Sequence, residues 1–530
     1  MGAWTISLKR RVSVLFLAFA ILLFSNSSGY SQWTGVLTPS VSAYWWLYDV
    51  YFSSPTEGWA VGRDFTNQVG VLLYYSGGTW ASVPPPFVST GVGTGWWLNG
   101  VHLSSPTEGW AVGEDATNAA GVLLHYSGGT WTSVPPPSVS TAWMLEDVHF
   151  TSPTQGWAVG YDLANFLVVL LHYSGGTWTS VPPPSVSTSW TLNAVHFTSP
   201  TQGWAVGWDL KNHVGVLLYY SGGTWTSAPP PSVSTDWGLN DVHFTSPTEG
   251  WAVGEDLTNH AGVLLHYSGG TWTSVPPPSV STDWFLSAVH FTSPTQGWGV
   301  GRDSTNDVGV LLHYSGGTWT SVSLPFVNTG CALRGVYFTS PTEGWAVGLD
   351  QPDHAGILLH FMSPISPLEG TIGTEITITG IGFGSKKGKV LVGNVAPKVL
   401  EWTDLLIRCR FLKPPSLGPG PYNVTIQPPK GASPITLEYD FTVMAPDINW
   451  TTPTHASAGA HVIIQGPFFG TKKGKVTLGG KSCKVSSWTM DPTTGESEIN
   501  FIVPKGLSPG AADLKVTNGL GSVITSFTVD

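Results

Sequence analysis

Aspartate and asparagine recur three residues apart at regular places in this sequence. Their carboxylate and amide oxygens could bind a cation or the hydroxyl groups of a saccharide. Calcium takes roughly six to eight oxygen ligands, however, and one such pair supplies too few. An aspartate also closes a turn on its own backbone, and every repeat needs that turn. We therefore predict turns, no metal site and no cofactor at Asp64/Asn67, Asp115/Asn118, Asp162/Asn165, Asp209/Asn212, Asp256/Asn259, Asp303/Asn306 and Asp350/Asp353.

Histidines form two further series, one on the first and one on the third predicted strand of each repeat. Tyrosine replaces histidine in several repeats, and a metal ligand would not tolerate that exchange. Packing with one hydrogen bond between neighbouring repeats suits both residue types. The first series is His102, His149, His196, His243 and His290, and the second is His125, His172, His266, His313 and His360.

A third set of positions varies sharply in chemistry while the surrounding repeat stays constant. These positions precede the loop aspartate or flank a tryptophan in the linker between repeats, so we expect them on one rim. Aromatic and charged side chains there are typical of a surface that binds a glycan or an extracellular protein. Neutral drift of exposed loops explains the variation equally well. The predicted ligand-binding residues are Trp46, Arg63, Trp97, Glu114, Tyr161, Trp208, Asp236, Glu255, Asp283, Phe285 and Arg302.

Catalytic motifs do not stand out. A sialidase-like glycosidase would need several arginines converging on one carboxylate, beside a tyrosine and a glutamate. The repeat region contains three arginines, and Arg63 and Arg302 occupy equivalent positions in different repeats. The sequence also lacks a Gly-x-Ser-x-Gly elbow and a His-Glu-x-x-His motif. We predict no catalytic residues and regard a glycosidase as the least favoured function.

A sequence repeat predicts the secondary-structure elements that must position these residues. The pentapeptide Gly-Trp-(Ala/Gly)-Val-Gly occurs seven times, with a constant spacing of 47 residues after a first interval of 51. Each repeat contains four short β-rich stretches separated by Gly, Pro, Asn and Asp. Four strands per unit and seven units predict a seven-bladed β-propeller. The tryptophans of the motif are Trp59, Trp110, Trp157, Trp204, Trp251, Trp298 and Trp345.

The two ends of the repeat array predict that the ring is closed. The last repeat stops after Phe361, where its fourth strand should begin. Trp33 lies 26 residues before Trp59, the same distance that separates Trp131 from Trp157. We therefore expect the N-terminal strand to complete the seventh blade, which removes the open sheet edges.

Charge excludes one class of ligand. Residues 32–361 contain four basic side chains, which are Arg63, Lys211, Arg302 and Arg334, against 21 acidic ones. Binding of nucleic acid requires neutralisation of phosphates by Lys and Arg. An acidic ring of this kind predicts no nucleic-acid partner.

The first 31 residues predict a secretory signal peptide. Lys9, Arg10 and Arg11 precede an apolar run of 13 residues, Val12 to Phe24, which is too short to span a bilayer. Small residues at Gly29 and Ser31 place cleavage after Ser31. We expect a secreted or cell-surface protein without a transmembrane segment after cleavage.

Three cysteines, Cys331, Cys409 and Cys483, fall in different segments, so we expect no internal disulfide framework. Cys331 occupies a position that is tryptophan in the other repeats, for example Trp143, Trp190, Trp237 and Trp284, and we interpret it as a small apolar core residue.

After Phe361 the tryptophan period stops and two homologous stretches follow. The first contains Phe383-Gly-Ser-Lys-Lys-Gly-Lys-Val390 and the second Phe469-Gly-Thr-Lys-Lys-Gly-Lys-Val476. Their strand lengths predict immunoglobulin-like sandwiches, and both resemble the IPT/TIG family over nearly a full domain. That resemblance implies a stiff extracellular spacer or adhesion module without catalytic residues. The expected organisation is a signal peptide (1–31), a propeller (32–361) and two IPT/TIG domains (362–444 and 445–530).

The propeller unit also has a relative. Its motif strand and the element Tyr126-Ser-Gly-Gly-Thr-Trp131 resemble the repeat of the photosystem II assembly and stability factor family, an Asp-box family. The Asp-box aspartate itself is absent here, and the spacing is one residue shorter. The resemblance implies the propeller fold and, as an alternative function, an extracytoplasmic assembly factor that recruits another protein. We predict an all-β binding or adhesion protein whose propeller is presented on an IPT/TIG stalk.

Overall fold

The computed structural model describes residues 33–88, 95–164, 167–315, 317–325, 329–380, 383–415, 418–429 and 434–530, with the side chains of 438–440 left aside. The predicted signal peptide (1–31) and Asn165 lie outside the described residues. Within these ranges every regular element is a β-strand, and the all-β fold class is confirmed.

Residues 33–362 form seven four-stranded antiparallel sheets, the blades of a propeller. The strand β1 (Trp33–Gly35) comes first in the chain and belongs to blade 7. Blade 1 contains β2 (Trp45–Ser54), β3 (Glu57–Asp64), β4 (Val69–Ser76) and β5 (Thr79–Val83), and blade 2 contains β6 (Trp96–Ser105), β7 (Glu108–Asp115), β8 (Ala120–Ser127) and β9 (Thr130–Val134). Blade 3 contains β10 (Trp143–Ser152), β11 (Gln155–Asp162), β12 (Leu167–Ser174) and β13 (Thr177–Ser180), and blade 4 contains β14 (Trp190–Ser199), β15 (Gln202–Asp209), β16 (Val214–Ser221) and β17 (Thr224–Ala228). Blade 5 contains β18 (Trp237–Ser246), β19 (Glu249–Asp256), β20 (Ala261–Ser268) and β21 (Thr271–Ser274), and blade 6 contains β22 (Trp284–Ser293), β23 (Gln296–Asp303), β24 (Val308–Ser315) and β25 (Thr318–Ser321). Blade 7 contains β26 (Cys331–Ser340), β27 (Glu343–Asp350) and β28 (Ala355–Met362), completed by β1.

The predicted closure of the ring is confirmed. Strand β1 pairs antiparallel with β28, and Trp33 lies opposite Phe361. Trp33 is 1% exposed, and its ring lies 5.3 Å from Trp298 and 5.7 Å from Phe338. The N-terminal strand therefore supplies both the last ladder of the ring and part of the core between blades 6 and 7.

Each seam between blades is a separate hydrophobic cluster built from both neighbours. At one seam Trp59 of blade 1 makes an edge contact, 5.3 Å between ring centroids, with Trp131 of blade 2. The same edge contact recurs between Trp204 and Trp272. Trp204 is 5% exposed, in agreement with its predicted core position. Burial of these large rings stabilises the packing of one blade on the next.

The glycines of the repeated pentapeptide allow close approach of strands. A Cβ on Gly58 would lie 2.6 Å from the ring of Phe52, and one on Gly62 would lie 2.0 Å from the carbonyl oxygen of Trp46. The second contact coincides with a register shift between Leu47 and Asp49 in the innermost strand. A side chain at either glycine would separate the first and second strands of the blade. The motif is therefore needed to form the bulge that shapes the centre of the ring.

The C-terminal region consists of two β-sandwiches. In the first sandwich, one sheet has the strand order β29 (Ile365–Ser366), β31 (Glu375–Thr379), β34 (Leu406–Arg410) and β33 (Lys398–Trp402). The other sheet has the order β30 (Glu369–Gly370), β36 (Ile435–Val443), β35 (Gly420–Gln427) and β32 (Lys389–Val392). In the second sandwich, one sheet has the strand order β37 (Trp450–Thr452), β39 (His461–Pro467), β43 (Glu496–Ile502) and β42 (Lys484–Met490). The other sheet has the order β38 (His455–Ala456), β45 (Ser522–Val529), β44 (Gly510–Thr517), β40 (Lys475–Leu478) and β41 (Lys481–Ser482). The shared strand order shows that the second sandwich repeats the topology of the first.

The first sandwich contacts the end of blade 6 at which β22 turns into β23. The Thr295 hydroxyl donates to Glu369 (2.9 Å), and the hydroxyls of Ser315 and Thr442 are 2.8 Å apart. Leu520 of the second sandwich belongs to the core of the first. The two sandwiches are thus joined by apolar packing. The two hydrogen bonds above connect the first sandwich to one face of the propeller.

In the part of the chain that the structure describes, no helix is long and apolar enough to cross a membrane. Cys331, Cys409 and Cys483 are free thiols. Cys331 is buried, and its Sγ accepts from the Gly309 backbone N–H at 3.1 Å.

Candidate functional site

The predicted rim residues lie at the face where each innermost strand begins and each second strand ends. Cross-strand register joins Trp46 with Arg63 and Trp97 with Glu114. The same pairing joins Thr191 with Trp208 and Phe285 with Arg302. The first sandwich contacts the opposite end of the blades. This face, which we call the free face, is therefore remote from those contacts.

The bulge in each innermost strand adds one residue that the ladder does not pair. In three blades this residue is asparagine, and its amide donates to a backbone carbonyl of the next blade: Asn99 to Leu145, Asn193 to Leu239 and Asn240 to Leu286, at 2.7–2.9 Å. The other blades carry Tyr48, Glu146, Ser287 and Arg334 at this position. We call Tyr48, Glu146 and Arg334 the throat, because the three groups interact electrostatically across the ring.

Three of the predicted residues belong to one aromatic patch, which we call the platform: Tyr44, Trp46, Arg63, Phe65 and Trp97. Tyr44 stacks on Phe65 with ring centroids 4.5 Å apart, and Trp46 lies 4.6 Å from Phe65. The Arg63 guanidinium lies 4.0 Å above the Trp97 ring and 4.5 Å above Phe65. All five side chains are half-buried. The platform therefore joins blades 1 and 2 through cation–π contacts and leaves part of each ring accessible.

Glu146 and Tyr161 form a hydrogen-bonded pair beside the platform. Desolvation raises the pKa of Glu146 to about 7, with a further increase from the Glu114 charge, while the Tyr161 hydroxyl bond and Arg334 oppose the rise. Burial likewise raises the pKa of Tyr161 well above its usual range, and the Glu146 and Glu114 charges add to the rise. The Tyr161 hydroxyl therefore keeps its proton at neutral pH and can donate it in a hydrogen bond to the Glu146 carboxyl group. Glu114, which we expected on an exposed rim, is instead buried at 8% exposure.

Arg334 is the cationic member of the throat. Desolvation lowers its pKa, and the Arg302 charge lowers it further, whereas Tyr48, Glu146 and Glu255 favour the charged form. Its Nε is buried without a hydrogen-bond partner among the described residues. An arginine remains charged in proteins, so its Nε is an unsatisfied donor beside the channel.

Trp208 is not the exposed side chain that we expected. It is half-buried, and its ring lies where a Cβ on Gly238 of the next blade would be 2.8 Å from the indole. The absence of a side chain at Gly238 makes room for this large ring. The two positions are therefore in packing contact across a seam between blades.

The remaining predicted residues lie in blades 5 and 6 or in the linkers that precede these blades. The His213 Nδ1 is 3.2 Å from an Asp236 oxygen, and the His260 Nδ1 is 3.7 Å from an Asp283 oxygen. Arg302 forms an ion pair with Asp307. Burial raises the pKa of Glu255, and the neighbouring Asp283 charge adds to this effect. The two histidine–aspartate contacts link neighbouring blades, whereas the Arg302–Asp307 ion pair lies within blade 6.

The loop aspartates close turns, as predicted. The Asp64 carboxylate accepts from the backbone N–H groups of Thr66 (2.9 Å) and Asn67 (3.0 Å), from the Asn67 amide (2.7 Å) and from the Ser42 hydroxyl (2.7 Å). Asp209, Asp256 and Asp303 make equivalent bonds. Their lone pairs are used within the fold. Among the described residues, no group of three or more His, Cys, Asp or Glu side chains could hold a metal ion.

The first histidine series forms part of a closed ring around the channel. Tyr51 and Tyr337 complete it, and each ring lies 4.3–4.7 Å from its two neighbours. The interplanar angles of 47–53° are close to one seventh of a full turn. The expected hydrogen bond is wrong for this series, because each buried Nδ1 has no partner within the described ranges. Desolvation lowers the pKa of His102 to about 3 and of His196 to about 4, so the rings are neutral.

The second histidine series agrees with the prediction of packing plus one hydrogen bond. His125 stacks on Trp110 at 4.5 Å, and its Nε2 is 2.9 Å from Glu108. His172 stacks on Trp157 at 4.4 Å and bonds Gln155 at 3.1 Å. These histidines support the motif tryptophans and lie away from the free face.

A cleft of about 300 Å³ lies on the free face beside Asp115 and Pro135 of blade 2. Another, of about 280 Å³, lies between the sandwiches beside Ile372 and Lys473. The carboxylate of the first cleft already bonds its own turn through Asn118. Neither cleft brings together the convergent polar groups found in the throat.

Sequence reasoning missed the throat and two platform residues in its choice of ligand-binding positions. Tyr48, Glu146 and Arg334 also vary from blade to blade, directly after the constant leucines Leu47, Leu145 and Leu333. The same rule that selected the rim would have selected them. The bulge that turns them toward the channel is visible only in the strand register.

Comparison with known proteins identifies one domain. The model of the IPT/TIG domain family matches residues 361–443, so the chain contains an IPT/TIG domain. A cyclomaltodextrin glucanotransferase of Geobacillus stearothermophilus is 34% identical over 84 residues, which cover 16% of this chain and 11% of that protein. The corresponding protein of Thermoanaerobacterium thermosulfurigenes is 36% identical over 69 residues, or 13% and 9% of the two chains. The match thus spans about a tenth of the length of these curated relatives.

Solved structures show more distant similarity. A Bacteroides thetaiotaomicron protein of unknown function is 8% identical, with 61% of this chain and 100% of that chain covered and a TM-score of 0.34. The soluble aldose sugar dehydrogenase of Escherichia coli is 12% identical, with coverage of 49% and 98% and a TM-score of 0.32. The protein SGBP-B of the Bacteroides ovatus mixed-linkage glucan utilization locus, in complex with a mixed-linkage heptasaccharide, is 17% identical, with coverage of 30% and 43% and a TM-score of 0.17. The specific resemblance to the photosystem II assembly factors stays a prediction.

Proposed function

We propose that this chain is a secreted or cell-surface carbohydrate-binding protein whose ligand occupies the free face of the propeller. The observation that carries the proposal is the platform, in which Trp46, Phe65 and Trp97 are half-buried beside Arg63 and open to the same face. Sugar rings bind proteins through stacking on such aromatic faces, and hydroxyl groups use the polar side chains around them.

The position of the sandwiches supports this proposal. They contact the propeller through Thr295 and Ser315, at the end of the blades away from the platform. A stalk attached there would leave the platform and the throat open to a large polymer. A segment of this chain is similar to a segment of two cyclomaltodextrin glucanotransferases, whose name refers to a glucan substrate. The proposal is of a binding protein, with no catalytic step assigned.

A glycan array probed with the mature chain, residues 32–530, tests the proposal. Bound saccharides would then be measured by titration calorimetry with wild type, Trp46→Ala and Trp97→Ala. Stacking aromatics dominate binding energy in interfaces, so we expect each variant to weaken binding by at least roughly tenfold. Trp450→Ala is the matched control, because Trp450 is 46% exposed on the second sandwich. A full array without a bound glycan, or unchanged affinity in both platform variants, refutes the proposal.

A protein ligand would give a different result. An extracytoplasmic assembly factor should recover a defined protein complex with the immobilised chain and bind no glycan on the array. This outcome would assign the platform to a protein interface in which Trp97 is again the residue to test.

A further inference from the structure

We propose that the throat binds the carboxylate of an acidic saccharide through the guanidinium of Arg334. This inference rests on the proposed function, and it specifies the chemical class of the glycan. A uronic-acid residue, which carries a carboxylate on its sugar ring, fits the combination of an aromatic platform and a neighbouring guanidinium.

The first observation is the state of Arg334. Its Nε is buried without a partner in the described part of the chain. Glu146 and Glu255 lie near enough for their charges to act on it, yet the ion pairs of the described residues include neither with Arg334. A buried N–H group without an acceptor is costly. A ligand carboxylate would satisfy it in the bidentate geometry that a guanidinium favours.

The second observation is an excess of unsatisfied donors on the free face. On the free face, the buried N–H groups of described residues that lack a partner are Nε of Arg63, Arg302 and Arg334 and Nε1 of Trp46 and Trp208. The corresponding acceptors without a partner are the hydroxyls of Ser140 and Ser287, because the buried Asp236 oxygen lies 3.2 Å from the His213 Nδ1. A face with more free donors than acceptors is complementary to a ligand rich in acceptor oxygens. Carboxylate oxygens are the strongest acceptors that a saccharide can offer.

The neighbouring acids do not exclude an anion. The Glu146 carboxylate accepts from Tyr161, and its pKa of about 7 leaves it partly protonated at neutral pH. Burial also raises the pKa of Glu255 and of Glu114. Arg63, held over the Trp97 ring, adds a second cation at the platform. The local charge of the throat is therefore less negative than the overall charge of the propeller suggests.

The experiment compares trigalacturonic acid with its fully methyl-esterified form, which has the same sugar skeleton without charge. Affinities are measured by titration calorimetry for wild type, Arg334→Gln and Lys211→Gln. Lys211 is an exposed cation in a turn on the same face, so its variant controls for the loss of one positive charge. We expect wild type to bind the acid at least roughly tenfold more tightly than the ester. Arg334→Gln should lose this preference, and Lys211→Gln should retain it.

Several outcomes overturn the inference. Equal affinity for the acid and the ester does so. An equal loss of the acid preference in both variants also does so, because it would indicate a nonspecific effect of positive charge. Binding of neutral glycans on the array without binding of the acid overturns this inference and leaves the proposed function standing. An array without any bound glycan removes the proposed function as well. If Arg334→Gln fails to fold, Arg334→Lys is measured instead; it keeps the charge but lacks the planar fork, and an unchanged acid preference then contradicts the bidentate contact.

Discussion

Replacement of Trp33 by alanine should destabilise the propeller more than the same replacement at an equivalent position inside the array. Trp33 lies in the three-residue strand β1, and its ring packs 5.3 Å from Trp298 and 5.3 Å from Phe361. Trp178 makes the matching contacts in blade 3, 5.2 Å from Trp110 and 5.2 Å from Tyr173. Loss of either ring removes a large buried side chain, which costs about 3–5 kcal/mol.

The difference between the two variants reports on closure of the ring. Strand β13, which carries Trp178, is joined to its own blade by the chain, whereas β1 reaches blade 7 from the other end of the array. Without its tryptophan β1 should detach, and the third strand of blade 7, Ala355–Met362, should lose its edge partner. Several ladder hydrogen bonds at about 1 kcal/mol each then add about 1–3 kcal/mol to the effect of Trp33→Ala.

Urea unfolding of the mature chain measures the free energy of unfolding of both variants, and hydrogen exchange measures protection of residues 355–362. We expect the larger loss in Trp33→Ala, with faster exchange in that segment alone. If Trp33→Ala is equal to or milder than Trp178→Ala and exchange at residues 355–362 is unchanged, β1 is not the element that closes the ring.

Three further outcomes follow from the packing. Trp204→Ala should lower the free energy of unfolding by about 3–5 kcal/mol because Trp204 is core, while Trp208→Ala, which removes a half-buried ring, should lower it by less; equal losses in urea unfolding would contradict this order. Burial lowers the pKa of His196 to about 4 in the folded protein. Because this histidine is protonated more easily in the unfolded chain, the free energy of unfolding should decrease by about 2 kcal/mol as pH falls from 7 to 5. His196→Tyr, which places at this position the residue found in two other blades, should lose about that much less stability over the same range, and parallel pH profiles would refute the assignment. Asp209→Ala should cost about 2–3 kcal/mol through its turn hydrogen bonds, and a melting temperature of wild type that rises with calcium would instead indicate a cation site.

The fold could be predicted from the sequence because the residues that indicate it lie close together in the chain and recur in every blade. Each blade needs the same tryptophan and the same two glycines, so the 47-residue period counts the blades directly. The position of Trp33 relative to Trp59 predicted the closing strand for the same reason. The turn aspartates were also predictable, because Asp64 and its equivalents bond residues two and three positions further along the chain.

The site depended on contacts between blades that are about 47 residues apart in sequence. Arg63 over Trp97 and Trp208 over Gly238 are seam contacts, and no pattern within one repeat specifies them. The throat arises because a bulge turns one residue of each innermost strand toward the axis, where Arg334 of blade 7 acts on Glu146 of blade 3. Periodicity determines which element a residue occupies, whereas closure of the ring determines which side chains meet, since only the closed circle brings non-adjacent blades to a common centre.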